Sequence, residues 1–222
     1  RMAALPEKAR VVIIGQGGIV GASVAHHLVQ NGWDDIVGLE KSAIPTDIGS
    51  TSHASDFCYM TSHDKLNVFT STYSREFYKS RGNFIEIGGM EVARKGDDAQ
   101  VQELLRKVAS GKAFGTNVRM ITAAEAKERF PLLEEDTIEC AMWDPDAGLV
   151  TPRSQKVAGD LVDEAVAAGK LQAFPYTPAE EIIVEDGRAV GVKTAKGTIM
   201  ADHVVLCVGI WGSLVSETAN VK

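Results

Sequence analysis

Cysteine is scarce in this 222-residue chain, and acidic residues outnumber basic ones. The three cysteines, Cys58, Cys140 and Cys207, lie far apart and form no Cys-x-x-Cys pair, so neither a disulfide framework nor a zinc site organises the fold. A reducing compartment suits such a chain, and with no targeting segment in view the cytoplasmic one is expected. Lys and Arg number 23 against 30 Asp and Glu, a formal net charge of −7. No nucleic acid partner is expected, because such binding draws on a basic field; any phosphate has to be held by local backbone geometry. With 45% hydrophobic and 24% charged residues the composition is that of an ordinary globular chain, one large domain or two small ones. There is no internal repeat and no low-complexity segment.

Charge is missing altogether from Val11 to Trp33. Such a run invites a membrane reading, but it holds glycines at 15, 17, 18 and 21, then Gln16, His26, His27, Gln30 and Asn31, so no membrane span is expected. Residues 1–10, with Pro6 and Glu7, are read as a leader and polar lead-in rather than a signal peptide. From Val11 the β-branched run Val-Val-Ile-Ile is the pattern of a strand buried on both faces. Val20, Val24, Leu28 and Val29 then recur near helical spacing until Asn31-Gly32, and Ile36 to Leu39 forms a second buried strand ending at Glu40. This is a β-α-β unit.

The stretch from Lys41 to Thr61 is polar and aperiodic and is expected to be a long loop, a kind that usually carries function. Beyond it, Phe69, Tyr73 and Phe77 predict a helix, and residues 84–87 and 90–93 a strand pair about Gly88-Gly89. Val101, Leu104, Leu105 and Val108 predict a further helix. Thr122 to Glu125 is a capping box opening a short helix that Pro131 closes. Residues 138–143 read as a strand, Asp146 to Leu149 as a turn, and Thr151-Pro152 as the start of a helix reaching about Gly169. Residues 181–184, 189–192 and 198–199, separated by Asp186-Gly187 and Lys196-Gly197, make a β-meander that feeds a fully buried strand at Val204–Val208.

Gly15, Gly17, Gly18 and Gly21 stand between a buried strand and a helix, where glycines let a helix N-terminus approach a pyrophosphate. Glu40, at the end of the second strand, is placed to accept hydrogen bonds from ribose hydroxyls. The stretch is one residue longer than the usual G-x-G-x-x-G. Either a bulge absorbs the extra residue, or Gln16, Gly18 and Gly21 take the three places. Among the histidines, His26 and His27 are adjacent on the first helix and cannot form a metal pair, which leaves surface or cap roles. His63 falls near the long loop and is either an active-site or a surface group, and His203 is structural. No metal site is expected.

Gly49-Ser-Thr-Ser-His-Ala54, the strand-turn-helix opening, Gly88 to Ala93, Glu125 through Leu133, Asp146 to Gly148 and Val205 through Trp211 together resemble the N-terminal part of the D-amino-acid-oxidase-type flavoproteins, within the dimethylglycine oxidase, dimethylglycine dehydrogenase and sarcosine dehydrogenase group. The resemblance runs over the whole chain after the lead-in. It implies an α/β fold, a Rossmann-like FAD-binding domain of glutathione-reductase type with a parallel sheet and a β-meander. That domain would cover residues 11–222, with inserted helices at about 66–133, as the front of a larger enzyme. It implies FAD as cofactor, joined covalently to His53; Ile19 and Val20 at the pyrophosphate; Glu40 and Lys41 at the adenosine; Ser50, Thr51 and Ser52 on the phosphate and flavin side. Ala179, where the family more often has valine, would meet the adenine, and Gly209 would lie where the returning strand passes the cofactor. Asp56, Tyr59 and Arg75 are candidates for substrate groups.

The activity implied is oxidation of an N-methylated or secondary amine of the dimethylglycine or sarcosine type, by hydride transfer to flavin. Tetrahydrofolate would be handled, if at all, by a domain outside this chain, and the electron acceptor is left open. Two other classes compete: a non-catalytic, flavoprotein-like regulatory subunit, and an NAD(P)-dependent dehydrogenase.

Overall fold

The computed structural model describes residues 4–220. In chain order the elements are β1 (Lys8–Ile14), α1 (Ile19–Gln30), β2 (Ile36–Leu39), α2 (Ser50–His53), β3 (Phe57–Cys58), α3 (Lys65–Ser80), β4 (Phe84–Glu86), β5 (Gly89–Arg94), α4 (Asp98–Ala113), β6 (Arg119–Thr122), α5 (Ala123–Arg129), β7 (Ile138–Asp144), β8 (Gly148–Val150), α6 (Ser154–Ala167), β9 (Leu171–Phe174), β10 (Ala179–Glu185), β11 (Arg188–Thr194), β12 (Gly197–Leu206) and α7 (Gly212–Glu217). They divide into two compact units, one formed by the residues up to Ala54 and from Pro152 onward, the other by Ser55–Thr151.

The first unit is built on a six-stranded sheet in the order β10-β11-β12-β1-β2-β9. β1 runs parallel to β12 on one side and to β2 on the other. Its burial follows from that central place: Val11, Val12, Ile13 and Ile14 are all buried. Val12, Ile14, Val37, Leu39 and Phe174 share a core with Ile182, Val192 and Ile199 of the meander. Each such side chain contributes about 1.5–3 kcal/mol when fully buried. α1 packs against α6, and the small residues Gly21, Ala22 and Ala25 on its buried side allow the close approach. α6 buries Val157, Ala158, Leu161, Val162 and Ala165, a helical spacing.

The second unit holds two three-stranded sheets, β3-β8-β4 and β5-β7-β6. α4 buries Leu104 and Val108 against Ala93, Val118 and Met142. The capping box at Thr122 and Glu125 is present in both directions. Asp144 is fully buried at the end of β7, where its carboxylate accepts from the Met60 N–H at 3.2 Å and the Thr61 hydroxyl at 2.8 Å.

Several expectations are corrected. Strand β1 begins at Lys8, inside the stretch read as lead-in, because Lys8 and Ala9 already find partners in Met200 and Ala201; Arg1 to Ala3 lie outside the described residues. The polar stretch 41–61 is not one loop: it contains α2 and β3, and β3 is held by pairing with β8. The segments about Gly88-Gly89 do not pair with each other. β4 pairs with β8 and β5 with β7, since the Gly88 N–H donates to Ala147 O at 2.9 Å and the chain crosses from one partner to the next. Gly148-Leu149, expected in a turn, belong to β8.

β9 gives no signal in the sequence; four residues, Leu-Gln-Ala-Phe, become a strand by pairing with β2. The third meander strand and the parallel strand that follows are one ten-residue strand, β12, ending at Leu206. It is not fully buried: Val204 and Val205 are half-buried and Leu206 is 38% exposed, because β11 pairs with β12 only as far as Met200. His26 is buried rather than superficial, with Nδ1 3.4 Å from Glu164 of α6. His203 does pack on Trp33, edge to face.

His63 lies in the second unit, with Nε2 2.7 Å from Glu103 Oε1, while Arg106 holds the other carboxylate oxygen at 2.9 Å. Hydrogen bonds from these two groups bring the Glu103 carboxyl down to about 2. Below the ordinary carboxylate range Glu103 therefore stays ionised, and the support it gives to folding is present above that range and lost only as pH falls toward 2. NMR titration of its side-chain carboxyl carbon should show no midpoint above pH 3, and His63→Ala with Arg106→Ala should return the midpoint to the usual range.

Candidate nucleotide-binding site

The carboxyl ends of β12, β1 and β2 lie side by side, and in open α/β sheets the crevice beyond such ends receives ligands. The turn after β1 occupies it. Gly15 has a φ of +92°, and a Cβ there would stand 2.4 Å from Cys207 O, so only glycine lets the chain leave β1 beside β12. Gly21, in the first turn of α1, approaches so closely that its Cβ would meet Gly15 O at 2.2 Å. Gly15 and Gly21 thus make the tight turn and the helix-to-strand contact of a dinucleotide fingerprint, and the extra residue is taken up between them. Of the two arrangements open from sequence, the bulge is the one observed.

Glu40 is buried at the end of β2. Its Oε2 accepts the Gly17 N–H at 3.0 Å, and its Oε1 accepts the Ser42 N–H and hydroxyl, both at 3.1 Å. Three donors compensate the buried charge, each such bond to a charged group being worth about 1.5–3 kcal/mol. Oε2 keeps acceptor capacity for a ligand hydroxyl. The backbone closes the same loop, with Thr46 N–H donating to Gly17 O at 2.8 Å, and Gln155 of α6 donating to Thr46 O at 2.7 Å.

α1 opens with Gly18 as N-cap, without a side-chain cap and without an acidic residue in its first turn. No carboxylate in the first turn offsets its positive end, an arrangement that attracts phosphate oxygens. A Cβ on Gly18 would meet nothing nearer than Thr51 Oγ1 at 3.6 Å, and Val20 is 59% exposed, so the backbone here is open to a ligand. Ile19 N–H donates to Thr51 Oγ1 at 3.0 Å, which ties α2 to the helix start. Ser50, Thr51, Ser52 and His53 form α2, and Arg153 reaches Ser52 O at 3.3 Å. His53 is exposed, its Nδ1 3.1 Å from Gly49 O and 3.0 Å from Ser52 Oγ.

Lys41 and Gly209 belong to the same end of the sheet. Gly209, with a φ of +56°, follows Cys207-Val208, whose backbone crowds Gly15. Lys41 points its Nζ at the Trp211 ring, 3.2 Å from the centroid. Trp211 was not marked as a site residue by the sequence; the signal available was its place two residues after Gly209. Ala179 opens β10 and packs toward the core of the meander. The link from its segment to Glu40 runs through Thr177, whose N–H donates to Glu40 O at 2.7 Å.

Asp56, Tyr59 and Arg75 all fall in the second unit. Arg75 is engaged by Glu76 at 2.7 Å and Asp146 at 3.3 Å, and burial, with the Glu91 and Asp144 carboxylates, pushes the Tyr59 phenol up to about 12. Neither is set up as a proton carrier near neutral pH. Among the described residues no group of His, Cys, Asp and Glu is placed to hold a metal ion. No helix there is long and apolar enough to cross a membrane.

The glycine turn, the uncapped helix start and the buried carboxylate fit the pyrophosphate and ribose of a dinucleotide. Gly21→Val should break the contact with Gly15, costing about 1–3 kcal/mol as overpacking does, and should abolish ADP binding. Thermal unfolding and calorimetric titration with ADP check both effects.

Comparison with known proteins gives the dinucleotide its identity. Residues 10–222 match the family described as FAD dependent oxidoreductase (DAO). The mitochondrial pyruvate dehydrogenase phosphatase regulatory subunit of Mus musculus is 30% identical over 215 residues, covering 94% of this chain and 24% of that protein. Mitochondrial sarcosine dehydrogenase of Homo sapiens is 28% identical over 228 residues, 98% of this chain and 24% of that protein. The crystal structure of L-proline dehydrogenase from P. horikoshii aligns with a TM-score of 0.89 at 30% identity, over 98% of this chain and 57% of the other. The chain spans about a quarter of the length of the curated relatives it matches. The family match favours FAD over a pyridine nucleotide. With its glycine turn, Glu40 and the loop of His53 in one crevice, the chain belongs to the FAD dependent oxidoreductase family.

Proposed function

We propose that this chain is the FAD-binding part of an enzyme that oxidises an N-methylated or secondary amine, of the sarcosine or dimethylglycine type, with the flavin held covalently by His53. Bound FAD would supply a two-electron acceptor for the hydride on the carbon beside the amine nitrogen, and the His53 imidazole would hold it through its 8α carbon. The observation that carries the reading is the bond between Ile19 N–H and Thr51 Oγ1. It holds α2, and with it an exposed imidazole, against the helix start that receives the pyrophosphate.

With Gly49 O accepting a hydrogen bond from His53 Nδ1–H, the lone pair lies on Nε2, the nucleophilic nitrogen of that tautomer. Glu40 orients the ribose and the α1 start neutralises phosphate charge. The substrate class is supported by two relatives whose names specify secondary amines with a neighbouring carboxylate, sarcosine and L-proline. A second reading, a flavoprotein-like regulatory subunit without turnover, is favoured by the 30% identity to the phosphatase regulatory subunit.

One experiment separates them. The full chain is denatured, freed of small molecules and examined for flavin absorbance on the polypeptide. Flavin should remain on the wild type and leave His53→Ala, and sarcosine or dimethylglycine should bleach the native flavin. Flavin equally released from both proteins overturns covalent attachment. Retained flavin that no secondary amine bleaches moves the regulatory reading ahead.

A further inference from the structure

Gln16 is a fully buried polar side chain in a turn otherwise made of glycine. Its Nε2 donates to Gly21 O at 3.2 Å, tying the amide to the first turn of α1, while Oε1 is buried with no hydrogen-bond partner among the described residues. An apolar side chain would fill the space without stranding an acceptor, so the amide is there for what Nε2 holds. Room for it comes from Gly38 in the middle of β2. A Cβ on Gly38 would stand 2.5 Å from Gln16 Cγ and 2.6 Å from its Oε1.

Glycine weakens a strand interior, and the neighbours of Gly38, Val37 and Leu39, are fully buried aliphatic residues. Glu40 lies two residues beyond Gly38, just past the end of β2, and both meet the glycine turn, Gly38 at Gln16 and Glu40 at Gly17. The Gln16 side chain thus lies one pleat behind the carboxylate that holds Gly17 N–H.

We infer that Gln16 and Gly38 form a coupled lock that sets the glycine turn against Glu40, making Gln16 a positioning residue for the pyrophosphate and ribose of the cofactor. The inference rests on the proposed use of this crevice for FAD. A side chain at position 38 has to displace Gln16, which is enclosed on all sides. The displacement passes to the backbone that carries Gln16, residues 15–18, and pulls Gly17 N–H away from Glu40. The longer glycine turn and the glycine in β2 are then one feature: the added residue needs a side-chain vacancy in the neighbouring strand.

The test compares wild type, Gly38→Val, Gln16→Gly and the double variant in the full chain, by calorimetric titration with ADP and FAD beside thermal unfolding. Gly38→Val should weaken ADP binding about tenfold or more, and adding Gln16→Gly should restore it to within about threefold of wild type, since valine then fills the space the amide vacates. A double variant that binds as poorly as Gly38→Val overturns the lock, and so does a Gly38→Val that binds like wild type. Should Gly38→Val fail to fold, Gln16→Met decides: it keeps the bulk, removes the amide that holds Gly21 O, and should lower ADP affinity about threefold or more at a nearly unchanged melting temperature. Unchanged affinity overturns the positioning role. A wild type that binds neither ADP nor FAD overturns the proposed function together with the lock, a result distinct from all of these.

Discussion

The buried carboxylate of Glu40 is the constraint on which the rest of the site depends. A charge taken out of water has to be given donors, and those it finds, Gly17 N–H and the two groups of Ser42, come from the two loops that flank the ends of β1 and β2. The glycine turn, the 42–46 segment and, through Gln155, α6 are thereby fixed to one another. A dinucleotide site needs this rigidity because its phosphate contacts are backbone groups, which can be aimed only by fixing the chain.

The chain carries a net negative charge and yet offers a place for an anionic ligand. The conflict is resolved locally. α1 has no acid in its first turn, and the one side chain held against its start is the neutral Thr51, so no carboxylate opposes an anion there. The nearby cation, Lys41, is engaged by the Trp211 ring at the rim. Recognition by backbone geometry tolerates an acidic surface, whereas recognition by a basic field would not.

The parts of the sequence that were legible are those where a local rule and the tertiary outcome coincide. The Val-Val-Ile-Ile run, the helix from Ile19, the strand ending at Glu40 and the capping box at Thr122 all follow from spacing or from a cap within a few residues. The meander followed from its Asp-Gly and Lys-Gly turns. What misled was pairing between distant segments. The two strands about Gly88-Gly89 looked like a hairpin, but each has a better partner, β8 or β7, more than 40 residues away. β9 has no β-branched residue and is a strand because β2 offers it an edge.

The sequence by itself determined which residues are candidates to hold a nucleotide: a glycine-rich turn between a buried strand and a helix, a carboxylate at the end of the next strand, and a Ser-Thr-Ser-His loop, each recognisable because its chemistry is local. Only the tertiary structure decided how the longer glycine turn is accommodated, because that depends on a vacancy at Gly38 in a neighbouring strand. It also decided that His26 is buried beside Glu164 and that Trp211 meets Lys41. Those contacts join residues far apart in sequence, and no periodicity or spacing records which side chain will fill the space that another leaves.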